Sequence, residues 1–270
     1  MNAPEKALQD MDKLDTLSHE QSFIHKLDPR AKILTTLSYI ITLLSLSPDN
    51  LSGMSIFLLY PVLVIRLANL PLGYLFKRSL IALPFVLFIG IFNPLLDHTP
   101  AITWGDWTIS RGWISFASIV IRAILSVLSA LILVATTGFP AICSGLKKLG
   151  VPSVMTTQLV FVFRYIFLLI TETGKMTRAA TLRNPSQHKI TLRTWGSLLG
   201  NILFRAIARA ERIHTAMLSR GFSGTIPTIR GKEFGWRESI YLLSWTLIFC
   251  MMRFTNPVQI MGNSLQTLLS

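Results

Sequence analysis

From Trp113 to Phe139 the chain runs almost wholly apolar and carries a single charge, Arg122. A stretch of that length matches the roughly 20 residues a helix needs to cross the hydrocarbon layer of a bilayer. Leu51–Leu70 and Ser79–Leu96 repeat the pattern. Ile33–Ser47 joins them once Ala31 and a snorkelling Lys32 extend it, and a last span is expected over Glu238–Phe254. Composition agrees: 51% of residues are hydrophobic, 14% are charged and mean hydropathy is +0.51. The sequence therefore predicts an all-α integral membrane protein with about five transmembrane helices plus two long cytoplasmic helices.

The net charge of +13 comes from 26 Lys and Arg against 13 Asp and Glu. No basic soluble module stands apart from the apolar runs, so nucleic acid is not the expected partner. Basic residues between spans instead hold loops on the cytoplasmic side. Lys26, Arg30 and Lys32 place the start of the first span inside, as do Lys77 with Arg78 and Lys147 with Lys148 at later turns. Residues 97–112, with Trp104 and Trp107, read as an external interface loop. Pro84 and Pro94 should kink or end the third span, because each lacks the amide proton a continuous helix uses. Arg122 should face the bundle, snorkel or find a partner, and a structural role is favoured over a substrate-binding one.

Val151–Ile170 is apolar enough for a span, yet both its flanks are basic. The flanks place 153–182 as a long helix along the inner membrane face; the alternative is a sixth span, with the following loop outside. The organisation expected is a cytoplasmic leader over 1–26, a four-span bundle over 27–139, cytoplasmic or interfacial helices over 140–236, and a last span and tail over 237–270. The leader lacks the basic-then-apolar order of a secretory signal and should remain.

The segment 194–221 is amphipathic. Leu199, Ile202, Leu203, Ala206, Ala210, Ile213 and Met217 recur at helical spacing, with Arg205, Arg209 and Arg212 on a neighbouring strip. Gly221 can take the left-handed conformation that closes a helix, and Arg220 suits the negative end of the helix dipole. The preceding helix closes in the same manner on Arg183 and Asn184. Two guanidinium groups at the ends of paired helices can each make forked hydrogen bonds to carboxylates or helix-end carbonyls of a partner.

Catalytic chemistry is not indicated. The nearest approach to a phosphate loop, around Gly231-Lys232-Glu233, has the wrong spacing and no hydroxyl after the lysine. His19, His25, His98, His188 and His214 are scattered, Cys143 and Cys250 form no pair, and Cys250-Met251-Met252 reads as packing sulfur. No catalytic residue, metal ligand or bound cofactor is therefore expected in this chain.

KLDPRAK, LPLGYLFKRSLIALPFVLF, KKLGVP, RYIFLLITETGKMTRAATLRN and RAERIHTAMLSRGFSG resemble, in that order, the transmembrane T component of energy-coupling-factor transporters over about residues 20–255. The leader and PFVLFIGIFNPLL are more similar to its cobalt branch, the CbiQ-like proteins. The resemblance implies a multi-pass bacterial cell-membrane protein with a cytoplasmic N-terminus, in contact with membrane lipids. It also implies two ATP-binding cassette ATPases as partners, which use the ATP, and a small membrane subunit that binds the substrate, cobalt ion in this branch. The family's coupling helices each end in an Ala-Arg-Gly-like triplet seated in an ATPase groove. Here the triplets are Leu182-Arg183-Asn184 and Ser219-Arg220-Gly221, matching in the arginines and departing in the flanks, with Arg205, Arg209 and Arg212 as secondary contacts or lipid-headgroup ligands.

Two other readings are open to a basic, helical membrane chain. An integral-membrane lipid-modifying enzyme would need clustered carboxylates or histidines at the membrane face. A self-contained carrier would need internal repeats and polar residues converging at mid-membrane, where Arg122 alone is a candidate.

Overall fold

The computed structural model describes residues 13, 15–20, 22–46, 51–97, 99–104, 107–183, 191–224 and 234–255. Asn184, His98, His188 and the Gly231-Lys232-Glu233 stretch lie outside them. The helices are α1 (Pro29–Leu44), α2 (Leu51–Phe57), α3 (Leu59–Leu67), α4 (Leu72–Ser79), α5 (Leu83–Gly90) and α6 (Phe92–Leu96), followed by α7 (Arg111–Thr137), α8 (Phe139–Lys148), α9 (Ser153–Arg183), α10 (Leu192–Ser219) and α11 (Trp236–Thr255). One short antiparallel hairpin, β1 (Pro100–Trp104) with β2 (Trp107–Ser110), stands where the sequence suggested an external loop. Helices α1–α7 and α11 form one compact unit, and α8–α10 form another.

This is an all-α membrane protein. Leu72–Leu96, Arg111–Thr137 and Ser153–Arg183 are each long and apolar enough to cross a bilayer, while Gly53–Leu67 is apolar but shorter. The third of these is the helix whose flanks argued for an interfacial course, so apolar length and flanking charge pull it in different directions.

Local chemistry sets the helix ends in the first unit. Asp28 caps α1 by accepting from the Arg30 amide at 2.8 Å, and Pro29 supplies a ready-made first turn, as the sequence suggested. In the third span a 3-10 turn at Leu80–Ala82 precedes Pro84, and the Leu83 amide bonds the Leu80 carbonyl that Pro84 cannot reach. A further break at Ile91 comes ahead of Pro94. The second span is likewise divided, at Leu58.

Helix α7 is the centre of this unit and packs against each of α1–α6. Beside it Tyr39, Phe57, Tyr60, Trp245 and Phe249 join α1, α2, α3 and α11, with the Tyr39 and Tyr60 rings 4.7 Å apart and those of Tyr60 and Trp245 4.8 Å apart. The Tyr39 hydroxyl donates to the Phe57 carbonyl at 3.0 Å, so this fully buried ring has its polar tip paired.

Two charged residues depart from, or complete, the expectations. Lys32 does not snorkel: its side chain is buried and its Nζ donates to the Thr136 carbonyl at 2.9 Å. The last carbonyls of α7 have no partner within the helix and carry partial negative charge, which a buried ammonium satisfies. Arg122 donates through Nη2 to the Leu46 carbonyl at 2.8 Å, just past the end of α1, and so serves the bundle in the structural role favoured for it.

Candidate functional site

In the second unit α8 packs on α9, where the rings of Phe139 and Phe163 stack at 4.7 Å and Phe167 meets Phe163 edge-on at 5.2 Å. Helix α9 runs from Ser153 to Arg183 without a proline. Thr191 caps the start of α10, its hydroxyl accepting from the Thr194 amide at 3.4 Å. Its end is closed twice over: the Gly221 amide bonds the Leu218 carbonyl at 2.9 Å and the Phe222 amide bonds the Met217 carbonyl at 3.0 Å. Gly221 has φ of 79°, as the sequence suggested for a residue closing this helix.

Arg183, Leu182, Ser219, Arg220 and Gly221 are all exposed. Leu182 is 80% exposed and Leu218 54%, so an open leucine stands one or two residues before each arginine. The Ser219 hydroxyl donates to the Thr215 carbonyl at 3.0 Å and is turned back on its own helix.

The inward stripe of α10 differs from the one expected. Leu198, Ile202, Ala206, Arg209, Ile213 and Met217 are half-buried, whereas Leu199 and Leu203 are exposed. The stripe is rotated by a fraction of a turn, which brings Arg209 inward. There it meets Glu172 of α9, with Nη2 to Oε1 at 2.8 Å. Arg212 bonds back to the Ala208 carbonyl at 3.1 Å, and Arg205 is exposed.

Between α9 and α10 lies a groove of about 730 Å³, lined by Phe161, Tyr165, Leu168, Ile213 and Met217 and by Arg164, Arg209 and Arg220. A smaller overlapping cavity of about 360 Å³ adds His214. Arg220 therefore lies by the first half of α9, near Arg164, while Arg183 ends its second half. Along α9 the step from Arg164 to Arg183 is about 28 Å at 1.5 Å per residue. The two terminal arginines are thus well apart, as two separate contact surfaces would require.

Sequence reasoning passed over Arg164 and Glu172. Both could have been found: Arg164 interrupts the apolar run of α9, and Glu172 is the lone carboxylate of that helix. A carboxylate surrounded by so many cations finds one of them.

Fold and site together define a helical membrane protein in which two long helices carry exposed arginines at their ends. The chain belongs to the family described as cobalt transport protein, CbiQ, which matches residues 20–231. It is similar to proteins named energy-coupling factor transporter transmembrane protein EcfT. That of Clostridium kluyveri is 26% identical, covering 78% of this chain and 84% of the relative. That of Ruminiclostridium cellulolyticum is 25% identical over 84% and 90%. That of Bacillus subtilis is 24% identical over 75% and 82%.

Proposed function

We propose that this chain is the non-catalytic scaffold and energy-coupling subunit of an energy-coupling-factor importer in the bacterial cell membrane, with its N-terminus in the cytoplasm. Two partner ATPases bind and hydrolyse the ATP. A small membrane subunit binds the substrate, which the family description points to as cobalt ion. The observation that carries this reading is the pair of exposed arginines, Arg183 and Arg220, closing two long helices that face one another across a largely apolar groove.

The physics of such a coupling is mechanical. A guanidinium offers five donors in a rigid fork, so each arginine makes directional, charge-assisted bonds to carboxylates or helix-end carbonyls of an ATPase groove. When ATP closes the ATPases, the grooves carry the helix ends with them, and helices of this length transmit the displacement along their axes. Leu182, Ser219 and Gly221 shape the contact, Asn184 follows the first arginine, and Arg205 and Arg212 supply secondary contacts or hold lipid headgroups, whereas Arg209, expected to join them, is engaged by Glu172. The lipid-modifying enzyme is not favoured, since the relatives bear transporter names.

The test is co-purification of tagged wild type, Arg183→Ala and Arg220→Ala in mild detergent. Wild type should bring down ATPase and a small membrane subunit, and each variant should remain inserted but lose ATPase. Equal ATPase recovery in all three preparations would overturn the assignment.

A further inference from the structure

The ion pair between Glu172 and Arg209 has a particular place in the arms. Glu172 to Arg183 on α9 and Arg209 to Arg220 on α10 are the same eleven-residue step. At 1.5 Å per residue each terminal arginine stands about 16 Å along its helix from the pair. A turn of about 10° there would carry each arginine about 3 Å.

We propose that Glu172 and Arg209 form a pin that fixes where α9 and α10 meet, making them two levers of equal length about one point. This rests on the coupling role proposed above and names the residues that give it a fulcrum.

Three observations carry the inference. No residue of α10 is fully buried, and the helices face each other across an open groove. Apolar contact is non-directional, so a groove of that kind lets one helix slide along the other. The pair supplies what apolar contact lacks: a charge-assisted bond of 2.8 Å with a defined direction. Next, the pair is sheltered, its side chains 37% and 23% exposed, so it is less screened than a fully solvated one. Last, Arg209 faces inward on the half-buried stripe while Arg205 does not, and the carboxylate opposite gives it a reason to. Ala206, Ile213 and Met217 close the groove above and below the pair without fixing register.

The experiment uses the complete transporter complex in proteoliposomes with cobalt ion as cargo. Spin labels at Val162→Cys on α9 and Leu203→Cys on α10, exposed positions at 61% and 60%, report the distance between the helices in a background lacking Cys143 and Cys250. Glu172→Gln and Glu172→Arg should broaden the distance distribution. They should also lower cobalt uptake per ATP hydrolysed by about two- to fivefold, the size expected of a partly exposed ion pair, with the ATPases still bound. The exchanged pair Glu172→Arg with Arg209→Glu should restore both readouts, which separates a specific pairing from a general loss of packing. Distances and uptake unchanged in the single variants, or no recovery in the exchanged pair, overturn the pin. A wild-type complex without ATPase overturns the coupling reading instead, and that result is visible before any label is read.

Discussion

Gly112 opens α7, the helix around which the first unit is packed, and the space beside it is closed. A Cβ at this position would stand 2.6 Å from the carbonyl oxygens of Asn93 and Asp97 and 2.7 Å from the Cα of Pro94. Ordinary contacts begin at 3.4 Å, so the α6 region would have to retreat by about 0.8 Å, and every atom in the way is backbone. Overpacking costs about 1–3 kcal/mol, and with no side chain free to rotate aside Gly112→Ala belongs at the upper end, about 3 kcal/mol. For a chain of this size that corresponds to a fall in Tm of about 6–12 °C. Thermal unfolding in detergent, followed by tryptophan fluorescence, measures it directly. Gly174→Ala in α9 is the matched control, because nothing lies within 4 Å of the added methyl and helix propensity alone should favour alanine by up to about 1 kcal/mol. A Gly112→Ala protein that melts no lower than the Gly174→Ala protein would refute the argument from close approach.

Three further perturbations test other parts of the structure. His25 donates through Nε2 to the Leu17 carbonyl at 3.0 Å, and its Nδ1 lies 2.8 Å from the Ser22 hydroxyl, from which the neutral ring can accept. Burial first, and the nearby Lys32 charge after it, push its pKa below 6.5, although the bond to Leu17 opposes the shift. The unfolded chain then binds more protons than the folded one as pH drops through 6.5, so stability should fall from pH 7 to pH 5; His25→Gln should flatten a plot of Tm against pH. Lys32→Met removes a buried charged donor from the Thr136 carbonyl and should cost about 1.5–3 kcal/mol in the same melting assay. Gly221→Ala forces a methyl into a backbone at φ of 79°, costing about 1–2 kcal/mol at the end of α10; faster amide exchange over 217–222 than in wild type would report the frayed turn that carries Arg220.

The parts of the fold legible in the sequence are those set by local chemistry. Asp28 and Pro29 start α1, and Gly221 closes α10, because cap and left-handed preferences act within a few residues. The long course of α9 is readable because no proline breaks its run of helix-forming residues. What was not readable depended on groups distant in the chain. Lys32 looked like a snorkelling end because its acceptor, the Thr136 carbonyl, becomes available only when α7 ends beside α1. The buried stripe of α10 is rotated by a fraction of a turn from the one its periodicity predicts, for a similar reason. Periodicity ranks side chains by polarity and sets Arg209 outward, whereas the partner Glu172, in another helix, turns it inward. The candidate site divides the same way: the terminal arginines were visible as helix ends, and the pair between the helices was not.

Photo-crosslinkers at Leu182 and Leu218, each one or two residues from a terminal arginine and exposed at 80% and 54%, test the proposed coupling role most directly. Introduced one at a time into the complex in its native membrane, both should capture an ATPase subunit, and addition of a non-hydrolysable ATP analogue should change the yield at both. Capture of lipid alone at the two positions would contradict it.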